Sequence, residues 1–327
     1  MRTSEEAMTL DIRTLPGEAY LVGTAEDVSA APEIFDRAAR ALAEHGVEPM
    51  SVKAYGPRAA MAEASRALAV PATFLESRSV GLQIWAVQGE VASAAGGRLW
   101  NGGDFRVLHV PCVRGSGGSA PRQAESMFAK AGELLAAHGF AWRHVARTWI
   151  YLARLLDWYG EFNGVRTEVY RRAGLTAFPA STGIQGRTDG EECQMDLLAV
   201  DGLPVRLIRT TPRQSEAFAY GSAFSRGAVV GRTIHVSGTA SIGADGRTLH
   251  VGDPEAQFAE TLDNVAALLS AEGARLKDVV SATLFCRDEG VLESCLARRL
   301  APFPFVPVVA HVCRPDLLVE IEAVAAV

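Results

Sequence analysis

The chain repeats itself three times, and this repeat constrains its fold more than any other feature. Each copy contains a segment with apolar residues at spacings of three and four that ends at a glycine, as an amphipathic helix with a left-handed C-terminus requires. Each copy also ends in a similar apolar strand. The helical segments are residues 35–46, 127–139 and 261–273, and the closing strands are residues 81–87, 193–200 and 317–324.

The order of elements predicts an α+β unit of strand, strand, helix, strand, helix and strand, present three times. The repeat period is about a hundred residues, so each copy is the size of a small domain rather than of a solenoid repeat. We place the units at residues 1–98, 99–203 and 204–327, with Gly-, Ala-, Ser- or Pro-rich connections at 89–105 and 201–232. Three units that cover one another's sheet faces predict a monomer.

Composition narrows the classes of partner. The net charge is −6 and the pI about 5.7, so no broad basic surface is expected to bind nucleic acid. No apolar run is long enough to span a membrane, and residues 1–6 lack the apolar core of a signal peptide. Five cysteines without paired spacing favour a reducing cytoplasm. The sequence has no Walker A, CxxC or HExxH motif, and its histidines do not cluster at metal-ligand spacing. It therefore predicts no bound metal, flavin or nicotinamide.

One position in the closing strands differs among the copies in a way that packing does not explain. Aligned by eye, the three strands carry Gln83, Gln194 and Glu320 there. An ionisable carboxylate replaces a neutral amide of similar shape in one copy, which predicts that Glu320 works as an acid or base in one of three equivalent places. The alternative is a surface residue on an edge strand. Glu322, on the same strand face, is interpreted as structural.

Several motifs resemble known families. Residues 236–240, the helix around Asn264, residues 279–285 and the Val-Glu-Ile-Glu-Ala ending resemble the Rid/YjgF-like fold, which is also chorismate-mutase-like. The chain further resembles the chorismatases at residues 147–152, 157–166, 179–184 and 313–322, and this resemblance covers residues 105–327 well and the first hundred poorly. It implies a covalent pseudo-trimer with a degenerate first unit, and cofactor-independent cleavage of chorismate to pyruvate and a hydroxybenzoate or a dihydroxycyclohexadiene carboxylate.

Cleavage of an enol ether requires a proton on its methylene carbon, and a buried Glu320 with a raised pKa can supply it. A substrate with two carboxylates calls for arginines, whose forks match carboxylates bidentately. Strand alternation places Arg147 and Tyr151 on one face, whereas Ala54 and Ser281, counted from the glycine that ends each helix, stand at the place of Arg147 in the other copies.

Further substrate-binding residues are predicted around the same cleft. Asn163 and Arg166 are three apart on a predicted helix, hence neighbours on one face. Arg187 follows a glycine before the second closing strand, and Tyr220 and Arg226 enter the third unit. For each of these, a solvated or purely structural role remains the alternative.

Cys313 lies seven residues before Glu320, across a proline-containing bend. No local base would make it a nucleophile, so a small buried apolar role is the plain interpretation. By resemblance, a cysteine here and a small residue at Ala240 help to select the product, and Cys313 resembles the branch that forms 3-hydroxybenzoate. That branch tends to have glycine at Ala240, so the diene acid and 4-hydroxybenzoate remain alternatives.

Two other classes of function stay open. A Rid-like deaminase of enamines or imines carries its carboxylate-binding arginine in a Pro-Ala-Arg segment, but Ser181 and Val309 stand at that place here. A non-catalytic ligand-binding protein would not need the exchange of glutamine for Glu320.

Overall fold

The computed structural model describes residues 8–186 and 190–327, which form three β-sheets. The first sheet has the spatial order β1-β2-β5-β3-β4. Its strands are β1 (Met8–Leu15), β2 (Glu18–Ala25), β3 (Glu48–Tyr55), β4 (Thr73–Leu75) and β5 (Val80–Val87).

The second and third sheets repeat this order and add one edge strand each. The second runs β10-β9-β11-β8-β7-β6 and the third β12-β13-β14-β17-β15-β16. The second sheet comprises β6 (Val91–Ala94), β7 (Gly97–Asn101), β8 (Arg106–Arg114), β9 (Val145–Leu152), β10 (Ala180–Gln185) and β11 (Cys193–Asp201). The third comprises β12 (Val205–Ile208), β13 (Gly227–Val230), β14 (Thr233–Ala240), β15 (Val279–Cys286), β16 (Phe305–Val309) and β17 (Val319–Ala326).

Each unit packs two helices on one face of its sheet. The long helices are α1 (Ala31–His45), α3 (Ala120–Ala137) and α5 (Pro254–Ala271), and the second helices are α2 (Arg58–Ala64), α4 (Leu155–Arg172) and α6 (Glu289–Arg298). The three helices predicted from the apolar spacing are confirmed, and α1 ends at Gly46 with a φ of 60°, the left-handed conformation expected of a C-terminal glycine. No helix in the described ranges is long and apolar enough to cross a membrane.

The predicted α+β architecture of three units is confirmed, but the first boundary is misplaced. Residues 89–105, expected to be a connection, form the hairpin of β6 and β7, and a boundary at residue 98 cuts through β7. The hairpin belongs to the second sheet because β7 pairs with β8. The first unit, described by the resemblance as degenerate, keeps the same five-strand core order.

The hydrogen-bond registers show which residues are equivalent in the three units. The central strand pairing shifts register at the same place in each sheet, beside Met50, Ala146 and Val280. Counting from these bulges, Ser51 rather than Ala54 stands in the place of Arg147.

The same count corrects the alignment of the closing strands. Glu320 pairs with Phe285, Gln194 with Tyr151 and Gly81 with Tyr55, so Gly81, not Gln83, is the first unit's counterpart of Glu320. The register in the first unit differs by two residues from the predicted one, and the strand pattern does not distinguish the two because alternation repeats every two residues. Gln83 and Asp196 are instead the counterparts of Glu322.

Apolar packing explains why the three units stay together. Three helix-side clusters serve one sheet each, whereas a fourth cluster draws buried residues from all three sheets, among them Tyr55, Trp149, Tyr151 and Phe285. The sheet faces opposite the helices thus cover one another, as three packed layers of one assembly require.

Because each unit covers the sheet faces of the other two, we expect a monomer in solution. Light scattering coupled to size exclusion should give a mass near 34.8 kDa over a wide range of protein concentration. A stable trimer of three times that mass would contradict the internal pseudo-trimer.

Candidate active site between the second and third units

A cavity of about 160 Å³ lies where the second unit meets the third. It gathers six of the residues predicted from the sequence: Asn163, Arg166, Arg226, Ala240, Cys313 and Glu320. It also gathers residues that the sequence did not single out, which are Tyr159, Ser181, Gly183, Ser222, Phe224, Gly238, Ile242 and Arg314. The helix α4 and strand β10 form one wall, and β14 and β17 form the other.

Glu320 lies in the middle of the third sheet, paired with Ala240 on one side and Phe285 on the other. This position excludes the surface edge strand considered above. Its side chain is 4% exposed. Burial, and after it the neighbouring Glu322, raise the pKa of Glu320 to about 8 against the opposing effect of Arg147. At neutral pH the site therefore holds a protonated carboxyl group that can donate a proton.

Gly238 makes room for this carboxyl group. It lies at a bulge where the pairing of β14 with β17 shifts register. A β-carbon on Gly238 would lie 2.0 Å from Oε1 of Glu320, a distance that no side chain tolerates. The sequence signal for this contact is a glycine opposite a buried glutamate. That signal can be recognised only when the strand register is known.

The two equivalent clefts are filled by side chains. Between the first and third units, Val306 packs onto Gly81, so that a β-carbon there would lie 2.3 Å from Cγ1 of Val306. Between the first and second units, Cys112 sits at the bulge, and its sulfur lies 3.5 Å from Oγ1 of Thr73 and 3.7 Å from Nε2 of Gln194. Differences at single positions thus distinguish the open cleft between the second and third units from the two filled clefts.

Three arginines surround the cavity. Arg166 is 1% exposed and donates from Nη2 to Oδ1 of Asn163 over 2.6 Å. Arg226 donates from Nε and Nη2 to the carbonyl of Ser215, and Arg314 donates from Nη1 to the carbonyl of Gly246 over 2.7 Å. Nε of Arg166 is buried without a hydrogen-bond partner among the described residues. Fixed guanidinium groups of this kind suit a ligand with carboxylates.

Cys313 lines the same cavity as a neutral thiol. Burial raises its pKa to about 12, and the nearby Glu320 acts in the same direction. The thiolate is the nucleophilic form of cysteine, so this environment disfavours covalent catalysis. Nowhere in residues 8–186 and 190–327 do three or more His, Cys, Asp or Glu side chains come together as a metal site.

Comparison with known proteins agrees with this architecture. A family model described as Endoribonuclease L-PSP matches residues 214–327. A chorismatase of Streptomyces hygroscopicus is 28% identical over 278 residues, covering 75% of this chain and 79% of that protein. A chorismatase of Streptomyces rapamycinicus is 29% identical over 260 residues, covering 68% of this chain and 74% of that protein. A crystal structure of a chorismatase superposes with a TM-score of 0.65 at 21% identity, over 85% of this chain and 93% of that one.

The chain is similar to chorismatases over most of its length and shares their fold. Its three Rid/YjgF-like units lie in one polypeptide, as the resemblance of the motifs implied.

Arg147, which was predicted to bind the substrate, does not line this cavity. It is 2% exposed, and its Nη2 donates to Oγ1 of Thr182 over 2.5 Å and to Oε2 of Glu322 over 3.0 Å. Its guanidinium group also lies 5.0 Å from the ring centre of Trp149. Strand alternation correctly placed Arg147 on the buried face. Its guanidinium group, however, binds Glu322 instead of the substrate carboxylate that was expected.

The remaining predicted residues lie outside the cavity or outside the part of the chain that the structure describes. Tyr151 is buried in the shared core, paired in register with Gln194, and its hydroxyl has no partner among the described residues. Burial, and after it the nearby Asp196 and Tyr55, raise the pKa of the Tyr151 hydroxyl. Tyr220 ends a 3-10 helix, Ala217–Tyr220, but its side chain lies outside the described part, as does Arg187.

Glu322 has side-chain partners from all three units rather than a backbone contact. Lys53 of β3 places Nζ 3.2 Å from its Oε1, Arg147 of β9 binds Oε2, and Thr283 of β15 donates to Oε1 over 3.3 Å. Burial by itself would raise the pKa of Glu322, but Lys53 and Arg147 outweigh burial and hold the pKa below its ordinary value. The cluster is therefore ionised and buried.

Replacement of Arg147 by methionine should destabilise the fold because it removes a partner of this buried cluster. We expect a loss of about 3–5 kcal/mol in the free energy of unfolding, measured by urea denaturation. Arg172→Met is the control, since Arg172 pairs with Glu168 on an exposed helix face and should change stability little. A stability unchanged by Arg147→Met would show that the cluster does not hold the units together.

Proposed function

We propose that this protein cleaves chorismate to pyruvate and 3-hydroxybenzoate, with Glu320 as the general acid. The observation that carries the proposal is a buried carboxyl group, whose pKa is raised by burial, in a cavity lined by three arginines. Chorismate is a dianion with an acid-labile enol ether, which matches both features. The similarity of the chain to two chorismatases of Streptomyces supports the same substrate.

The reaction starts with transfer of a proton from Glu320 to the methylene carbon of the enolpyruvyl group. The ether carbon then carries positive charge, and the ionised Glu320 lies beside it. Arg166, Arg226 and Arg314 hold the two carboxylates, which fixes the ether against the acid. Glu320 recovers a proton when the product forms.

Two fates of the activated ether differ in their use of water. In one, water adds to the activated carbon, pyruvate leaves, and the ring keeps both oxygens as a dihydroxy diene acid. In the other, the ring hydroxyl attacks the ring carbon that bears the ether while the bond from that carbon to the pyruvate oxygen breaks, which gives pyruvate and a ring epoxide. The epoxide opens at the carbon that first carried the hydroxyl, and loss of the proton from the neighbouring oxygen-bearing carbon gives 3-hydroxybenzoate. The second route consumes no water, so it requires that water be kept from the enolpyruvyl group.

Cys313 and Ala240 are the residues we assign to this exclusion of water. Both line the cavity with Glu320, and Ala240 on β14 pairs in register with Glu320. An uncharged thiol is larger and less hydrated than the hydrogen or methyl group of a smaller residue. Cys313 thus favours the aromatic product.

The decisive experiment measures pyruvate release from chorismate by the wild type and by Glu320→Gln. Gln194 occupies the equivalent position in the second sheet, so the fold should accept glutamine. Loss of the general acid should lower kcat by about 10²–10⁴-fold. Absence of pyruvate with the wild type would reject the function, and imine hydrolysis by the same preparation would favour the deaminase. A fully active Glu320→Gln protein would remove Glu320 from the mechanism.

The reaction should fail at alkaline pH. Glu320 donates only when protonated, and its pKa is raised to about 8, so kcat should fall as the pH rises through about 8. The same group binds a proton more tightly in the folded than in the unfolded chain, so the wild type should lose stability between its ordinary value of 4.5 and about 8. Glu320→Gln should remove that part of the pH dependence of unfolding. A kcat that is flat across pH 8 would contradict the assignment.

Cys313→Ala should change the products more than the rate. A smaller side chain admits water beside the enolpyruvyl group, so part of the flux should move to the diene acid while pyruvate release continues. Chromatography of the products of both proteins measures the split. Identical product ratios would show that Cys313 does not control water, and diene acid from the wild type would overturn the assigned product.

A further inference from the structure

We propose that Glu322 is a positioning residue that keeps the Glu320 carboxyl group protonated, and that the first unit acts on the site through Lys53, which holds Glu322 in its ionised form. The inference rests on the proposed function. It assigns a role to the first unit, of which no residue from Met8 onward lines the cavity.

The geometry places the two carboxyl groups side by side. Glu322 follows Glu320 by two positions in β17, so both side chains leave the same face of the strand. Side chains so related stand about 6–7 Å apart along a strand. Both are almost fully buried, which weakens screening by solvent.

The charges around Glu320 come from several elements. Arg147 of β9 acts on it electrostatically, and Arg166 of α4, Arg226 and Arg314 line the cavity with it. Cys313, the remaining titratable neighbour, is a neutral thiol. Among the described residues that act on Glu320, Glu322 is the one anion. Cations favour the ionised form of a carboxyl group, and Arg147 lowers the pKa of Glu320 in this way. An adjacent anion opposes that effect.

Glu322 opposes the effect of Arg147 on Glu320 only while Glu322 itself is ionised. Burial favours its neutral form, and Lys53 and Arg147 overcome burial by contacting one carboxylate oxygen each. Lys53 comes from β3 of the first unit, so this unit supplies a charge that the other two lack at the equivalent strand position, where Trp149 and Thr283 stand.

The second unit provides a matched control. Asp196 is the counterpart of Glu322, a buried carboxylate that accepts hydrogen bonds from Oγ1 of Thr73 over 2.7 Å and from the backbone amide of Cys112 over 2.8 Å. Its neighbour two positions earlier is Gln194, which does not titrate. Asp196→Asn therefore removes a similar charge without a carboxyl group beside it.

The test follows the titration of Glu320 in Glu322→Gln by NMR of protein labelled with ¹³C at glutamate carboxyls, with Glu320→Gln to assign the signal. Glutamine keeps a similar shape but removes the anion and leaves Arg147 unopposed, so the titration of Glu320 should move down by at least about one pH unit. The alkaline fall of kcat should move with it, while kcat at acidic pH is kept. Glu322→Asp should restore the wild-type titration, and Asp196→Asn should leave it in place.

Removal of one buried charge can unfold the chain, so the double variant Lys53→Met/Glu322→Gln, which removes opposite charges together, is measured in parallel. It should show the same downward shift. A Glu320 titration unmoved in the folded variants, or a kcat lowered equally at every pH, would overturn the proposal by showing a merely structural role. The NMR titration needs no substrate, so failure of the wild type to release pyruvate would reject the proposed function separately.

Discussion

The buried contact of Glu322 with Lys53 and Arg147 is the interaction on which this molecule depends. One residue comes from each unit, and the three meet where the sheets face one another. A charge removed from water must be compensated, so none of the three units can leave without exposing or orphaning a buried ion. The apolar core around the cluster adds the area that holds the sheets in contact. The same carboxylate stands next to the acid of the candidate site, so assembly and chemistry share one residue.

The three clefts of the pseudo-trimer show how one fold carries a single site. A sheet register repeated three times presents the same positions to each cleft, and side-chain size decides which cleft stays open. Gly238 leaves space for the carboxyl group of Glu320, whereas Cys112 fills the corresponding bulge and Val306 covers Gly81. Duplication supplied the scaffold, and substitutions at these few positions made the clefts different.

Patterns local in the chain predicted much of this. The 3.6-residue period located α1, α3 and α5, and the period of two identified the strands and their buried faces. Comparison of the copies found Glu320, although the counterpart named in the first unit was wrong by two residues. A shift of two preserves which face a side chain occupies, so alternation does not detect it. The bulges that fix the register are long-range features of strand pairing.

The sequence by itself determined the three-unit α+β architecture, the resemblance to chorismatases and the choice of Glu320 as a candidate acid, because each is written in periodicity, in long motifs or in differences among the copies. The tertiary structure decided which arginines surround the cavity. Arg147 and Arg314 both carry a guanidinium group, and nothing local in the chain tells which one meets a buried carboxylate first. That depends on Glu322 lying opposite Arg147 across the unit interface, over a separation of 175 residues along the chain. Charge pairing acts through space, so only the folded arrangement of the sheets assigns each arginine its partner.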